Sequence, residues 1–366
     1  MASPAQINYG TLNPRMGKYF GISLPAEFDG LEAEWRRARE NVALFDTSYH
    51  AVFDLSGPDR ARYLNAITSG DIRGLTPGRA VPGLLLNAQG HILAEIDTLA
   101  LEDRFLLLSH AMVSSRTFET LDKYIIMDDC ALTDVSAGWA SCALDGPRAG
   151  DALVAATGVA IESLPLFGHQ QATIAGAACR ILRRTHTGLG GAEILAPRET
   201  MAGVWQALLD AARKAQGGPI GWEAVNTLRI EAGLRWFGAD FDDTVIPQEA
   251  GLEQTHISYT KGCYTGQEIV ERVRSRGKLN RWLVRLEFSG QVPPSAGAKL
   301  EAAGKAWGHV TSVAYSPAMK AHIGFGYLRR EHNSPGIVLE CGNGTARVLE
   351  SPAEAPKNYF HPAACA

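Results

Sequence analysis

Apolar positions recur along this chain first at helical and then at strand spacing. Leu31, Trp35, Ala38 and Val42 fall on one helical stripe over residues 31–43. The stretch Ala51-Val-Phe-Asp-Leu-Ser-Gly57 reads as a strand ending in a turn, and Pro58 then opens a helix with Tyr63, Leu64 and Ile67 on one face. Strands are predicted at 84–87 and 92–101 around the turn Asn87-Ala-Gln-Gly90, and a third at 104–109. Phe118, Leu121 and Ile125 give 112–126 a helical pattern. The rhythm then repeats, with a strand at 139–144, a helix opened by Gly146-Pro147 and running through Val154, and a hairpin pairing 178–184 with 192–195. A helix over 201–213 follows Thr200 as N-cap and stops at Gly217-Gly218-Pro219. Beyond residue 280 the period becomes two: Trp282, Val284, Leu286 and Phe288 alternate with Arg285 and Glu287, and short strands follow near 307–314, 322–328, 337–341 and 345–350.

This pattern predicts an α+β protein with helices laid on antiparallel sheets. Its units are 1–140, 141–279 with segments free to interleave, a β-barrel over 280–350, and a tail over 351–366. Residues 1–30, rich in Gly and Pro, read as an extended arm. The 366 residues are 46% hydrophobic and 20% charged, the balance of an ordinary globular chain of two or three domains. A net charge of −4 argues against nucleic-acid and membrane-surface partners, which want a basic excess. Six cysteines without a CxxC pair exclude a disulfide framework, a cysteine zinc site and a cluster with four cysteine ligands from this chain. With no basic-then-apolar leader and no long apolar run, the expectation is a cytoplasmic monomer.

Chemistry concentrates in Lys261-Gly-Cys-Tyr-Thr-Gly-Gln-Glu268, continued by Arg272, Arg274 and Arg276. Gly262 and Gly266 permit bends on both sides of Cys263, and the surrounding cations favour its thiolate. The alternative is a small apolar cysteine packed in a turn. Glu95 and Asp97 share one face of their strand with Leu93 and Leu99. Trp222, Trp236 and Tyr264 are candidates to stack on a flat heterocycle. His50, His91 and His256 stand isolated and suggest no metal site.

The segment 261–268 resembles the hallmark of the YgfZ-type folate-binding proteins, a branch of the glycine-cleavage T-protein (aminomethyltransferase) superfamily. The aminomethyltransferases carry a segment resembling Lys-x-x-Phe-x-Gly-Lys there. Phe45-Asp-Thr-Ser48, Val52–Asp59, Leu64–Ile72, Leu75-Thr-Pro-Gly78, Leu228–Gly233, Gly238-Ala-Asp240, Pro247–Leu252 and Ile323–Leu328 resemble superfamily segments in the same order. The resemblance implies a central folate-binding hole and tetrahydrofolate as cofactor. It implies Arg229, Lys261, Tyr264, Gln267 and Glu268 as folate-binding residues, and Cys263 and Glu95 as the reactive pair. Glu95 falls where aminomethyltransferases carry an Asp at the folate amine. Leu189 stands where the superfamily's Thr-Gly-Glu-x-Gly segment has a pterin-pairing Glu, while Glu193 lies in the following strand. Three functions follow as expectations. The first is an accessory protein, not a conventional enzyme, that assembles or repairs iron–sulfur clusters in client enzymes. The second is a tetrahydrofolate-dependent aminomethyltransferase of glycine-cleavage type, and the third a non-catalytic folate sensor.

Overall fold

The computed structural model describes residue 7 and residues 9–277 and 279–350, so the expected tail at 351–366 lies outside the described residues. Two sheets and a barrel form the body. The first sheet is antiparallel, with strands Ala80–Leu86, Ile92–Ala100, Arg104–His110, His50–Ser56 and Ala131–Asp134 in that spatial order. The second runs His169–Ile174, Ala177–Arg183, Gly191–Pro197, Trp139–Asp145, Ala43–Asp46 and Gly218–Pro219, the last pair being parallel. Strands Arg281–Ser289, Ala321–Arg329, Lys305–Ser316, Lys299–Ala302, Val338–Cys341 and Gly344–Val348 close the barrel.

The α+β class and the C-terminal barrel thus stand as expected. Ala43–Asp46 is a segment of the first unit that interleaves with the second. All four of its residues are buried, and it pairs with Trp139–Asp145 in the second sheet. A four-residue strand buried on both faces, with Asp46 as its one polar residue, carries no alternation to mark it. Residues 1–30 differ from the expected arm, because Arg15–Tyr19 pairs with Ile22–Glu27 as a hairpin whose Leu24 and Ala26 are buried. Thr200 does not cap the helix Met201–Lys214; its hydroxyl donates to the Pro197 carbonyl instead (2.9 Å).

The two sheets meet through Val52, Leu99, Leu106, Leu108, Leu182 and Leu195, which form one buried cluster. At roughly 1.5–3 kcal/mol for each fully buried aliphatic side chain, this contact fixes how the sheets sit against each other. Strand Ile92–Ala100 serves three cores, with Ile92 packed beside Leu84 and Leu86. Ala94, Ile96 and Ala100 pack under their own sheet, while Leu99 turns toward the second. Glu95 and Asp97, four and two residues before Leu99, therefore emerge where the sheets part.

Candidate active site

A cavity opens at that parting, with about 1030 Å³ of space counting its mouth. Glu95 and Asp97 line one wall, Tyr49, His50 and His110 another, and Arg184 and His186 a third. Leu234, Arg235, Trp236 and Phe237 cover the cavity together with Thr255 and His256.

The carboxylate of Glu95 is held from two sides. His110 Nε2 lies 3.1 Å from Oε2 and His256 Nε2 lies 2.9 Å from Oε1. His110 closes the neighbouring strand, and the Ser109 hydroxyl donates to the Glu95 carbonyl (2.9 Å), which locks the two strands at this point. His256 ends the short helix Glu253–His256. Its carbonyl accepts from Ser69 Oγ (2.6 Å), and its Nδ1 meets the Thr255 hydroxyl. Burial alone would push the Glu95 carboxyl up. The hydrogen bonds from both imidazoles outweigh it and hold the group well below the usual carboxylate range. Burial pushes the His110 imidazole down, with Glu95 opposing, and leaves its Nδ1 buried without a partner. Tyr49 stacks on that ring at 5.2 Å and is 4.3 Å from the ring of His50.

A second set of charges staples the sheets together. His50, from the first sheet, lies 2.8 Å from Glu193 Oε1 of the second. Arg184, at the end of Ala177–Arg183, reaches back to donate to Asp97 Oδ2 (2.6 Å) and also faces Glu193 Oε2 at 3.4 Å. Glu193 is fully buried. Burial raises its carboxyl, but His50 and Arg184 hold it well below its ordinary range. Breaking either pair would leave a buried charge uncompensated.

Of the reactive and folate-binding residues implied by the resemblance, Glu95 lines the cavity and the others do not. Arg229 is buried, with its guanidinium fully engaged. Nε donates to Asn226 Oδ1 (2.9 Å), Nη1 to the Leu234 carbonyl (3.1 Å) and to Asp240, and Nη2 to Ser312 Oγ (2.7 Å). Lys261 is buried too, and Nζ donates to the carbonyls of Thr68 and Gly70. Tyr264 packs in an apolar core beside Lys261, Gln267 turns back toward the Tyr264 amide (3.4 Å), and Glu268 is exposed. Cys263 is exposed and stands outside the lining. Arg274 stacks on Tyr259 at 4.2 Å, and the Arg276 side chain lies outside those described. Trp236 faces the cavity, whereas Trp222 is core, its Nε1 donating to the Asp46 carbonyl (2.9 Å). Leu189 packs against the apolar cluster of Phe45 and Trp222. His50 and His256 prove not to be isolated, since each finds a carboxylate far away in sequence. His110, Arg184, His186 and Arg235, with the aromatic walls Tyr49 and Phe237, are among the cavity residues that sequence reasoning misses. The one signal for His110 is its place at the end of an apolar strand.

The whole chain has recognisable relatives. A family model described as the GCVT N-terminal domain matches residues 8–259, and one described as the glycine cleavage T-protein C-terminal barrel domain matches 281–354. The chain belongs to the glycine cleavage T-protein family. Among its relatives are proteins named aminomethyltransferase from Nostoc sp. (29% identical, covering 96% of this chain and 93% of the relative) and Herpetosiphon aurantiacus (30%, 89% and 90%). Another, from Symbiobacterium thermophilum, is 30% identical over 93% of this chain and 94% of its own. The crystal structure of glycine cleavage system aminomethyltransferase T from Bartonella henselae shares the fold, with a TM-score of 0.85 at 23% identity over 95% of this chain and 96% of that one.

These near-full-length T-protein relatives overturn the first functional expectation, that of an accessory protein for iron–sulfur enzymes. Cys263, expected as a reactive residue, is exposed and stands outside the cavity. Among the described residues no helix is long and apolar enough to cross a membrane.

Proposed function

We propose that this chain is a tetrahydrofolate-dependent aminomethyltransferase of the glycine-cleavage type. The observation that carries the reading is Glu95, a carboxylate kept ionised by His110 and His256 inside a cavity walled by Tyr49, Trp236 and Phe237. A fixed anion among aromatic faces is suited to a flat heterocycle and to a nitrogen that gains positive charge as it reacts. The names of the relatives agree with this reading.

In the proposed reaction the aminomethyl carbon leaves the sulfur of a lipoyl carrier and becomes bonded to two folate nitrogens. Ammonia departs, and the protons shed by those nitrogens go to the sulfur, which returns as a thiol, and to the ammonia. Tetrahydrofolate is a substrate in this scheme and supplies the accepting nitrogens. The protein's part is to orient the ring between aromatic walls, exclude water and hold negative charge at Glu95. The buried and unpartnered His110 Nδ1 at the cavity wall is a polar atom that a heterocycle with an N–H group can satisfy. Leu189 supplies no such partner, so on this reading ring recognition passes to the histidine wall. The unusual segment 261–268 acts as packing in the same reading, through the hold of Lys261 on the loop at 68–70.

The test is formation of methylenetetrahydrofolate from an aminomethylated lipoyl carrier, with folate binding followed by tryptophan quenching. Turnover supports the proposal. Folate binding without turnover would reject it in favour of a binding protein.

A further inference from the structure

Two arginines six positions apart, Arg229 and Arg235, meet opposite fates. Every nitrogen of Arg229 is engaged by the protein, and the residue is 1% exposed. Arg235 lines the cavity. It makes no hydrogen bond or ion pair among the described residues, and its Nε is sequestered without a partner. A partly buried guanidinium is normally paired, because the desolvation of its charge is otherwise uncompensated.

The local fold explains the difference. Helix Trp222–Glu231 ends in a paired turn. The Leu234 amide donates to the Arg229 carbonyl (2.7 Å) and the Gly233 amide to the Ile230 carbonyl (3.1 Å), with Gly233 at φ +78°, a backbone state that glycine adopts freely. The chain then runs over the cavity as Leu234, Arg235, Trp236 and Phe237. Arg229 holds that run through the Leu234 carbonyl and through Asp240, whose Oδ2 also accepts from the Trp236 amide (3.0 Å). Asp240 is thereby used up, with its Oδ1 accepting from Thr311 Oγ1 (2.8 Å) and Ser312 Oγ (2.5 Å). Among the described residues no carboxylate is left within ion-pair distance of Arg235.

We propose that Arg235 is the carboxylate-binding residue of the cavity, and that Arg229 is the strut which positions it. The assignment rests on the transferase reading only for the identity of the ligand. A guanidinium matches a carboxylate in a planar, two-pronged fashion. Two sources fit: the glutamate tail of tetrahydrofolate, and the carboxylate of a small N-methylated amino acid whose amine would sit at Glu95.

The experiment compares the unaltered protein with Arg235→Gln and Arg235→Lys. Affinities for tetrahydrofolate, for 6-methyltetrahydropterin (which lacks the tail) and for N-methylglycine are read by tryptophan quenching, with thermal melts as the folding control. The expected result is a loss of tenfold or more in tetrahydrofolate affinity for the Gln variant, partial recovery with Lys, and unchanged binding of the tail-less pterin. An Arg235-dependent loss confined to N-methylglycine also supports the carboxylate role and assigns the carboxylate to the donor. Equal binding of all three ligands by the unaltered protein and the Gln variant overturns the proposal. If the Gln variant does not fold, the Lys variant decides: tetrahydrofolate and N-methylglycine affinities both within twofold of the unaltered protein overturn it. Arg235-dependent binding in a protein that performs no one-carbon transfer would defeat the transferase reading and leave the carboxylate site standing.

Discussion

Strand Ile92–Ala100 and segment 261–268 both set charged side chains among apolar neighbours, and by residue type alone the segment is the richer in chemistry. In the folded protein the strand sends Glu95 and Asp97 into a cavity between two sheets. The segment spends its groups on holding the chain together. Lys261 donates to two backbone carbonyls, Tyr264 fills a core, and Gly266 sits against the turn at residues 87–90, where a Cβ would come within 2.6 Å of the Asn87 carbonyl. The contrast teaches that a dense motif reports a demanding backbone as readily as a reactive one. What separates the two is whether the polar atoms are satisfied from within. Lys261 has its partners in the loop at 68–70, whereas the wall around Glu95 keeps unpartnered nitrogens at His110 and Arg235.

The sharpest way to break this comparison is Glu95→Gln. It keeps the size of the side chain and removes its charge, and formation of methylenetetrahydrofolate by the folded variant should fall by at least ~100-fold. A rate within threefold of the unaltered protein would move the chemistry away from the strand. Lys261→Ala should act on stability instead. It strips the carbonyls of Thr68 and Gly70 of their buried donor, and urea unfolding should report a loss of about 2 kcal/mol while the folded fraction binds folate as before.

His110→Gln offers a smaller, pH-dependent signature. Burial pushes this imidazole below its ordinary range, so as the pH falls the unfolded chain takes up the proton first. The residue's contribution to stability is then full above about pH 6.5 and is lost as the pH falls from there toward the folded value. Urea midpoints of the unaltered protein should decline from pH 7 to pH 5, and those of the variant should decline less, by up to about 1.4 kcal/mol per pH unit. Identical slopes would show that His110 is not held neutral. The smallest effect belongs to Cys263→Ser. This thiol is exposed and outside the cavity lining, so both turnover and stability should stay within measurement error.

Much of the fold is legible in the chain because period and burial agree. The alternation from Trp282 to Phe288 becomes a barrel strand, and the run after Gly90 becomes the strand that carries Glu95. The site is legible only in part. Glu95 is reached through family resemblance, but its two imidazoles lie 15 and 161 positions away, and no local pattern ties them to it. Arg229 matches a family position, yet in the fold it is a strut. Arg235, in the apolar run Leu234-Arg-Trp-Phe237, carries no periodic signal, since its exposure to the cavity is set by a helix end rather than by a repeat.

Strand Ala43–Asp46 has a consequence for the order of synthesis. It emerges from the ribosome before the entire first sheet, yet its partners Trp139–Asp145 and Gly218–Pro219 follow only after that sheet is complete. The nascent chain must therefore keep this buried strand waiting while a neighbouring unit folds beside it. The hairpin and helix that precede it, packing through Leu24 and Ala38 onto Phe45, are placed to shelter that strand. A cut between the two units would consequently yield no independent second half, because the C-terminal piece would lack the strand that its own sheet takes from the far side of the first.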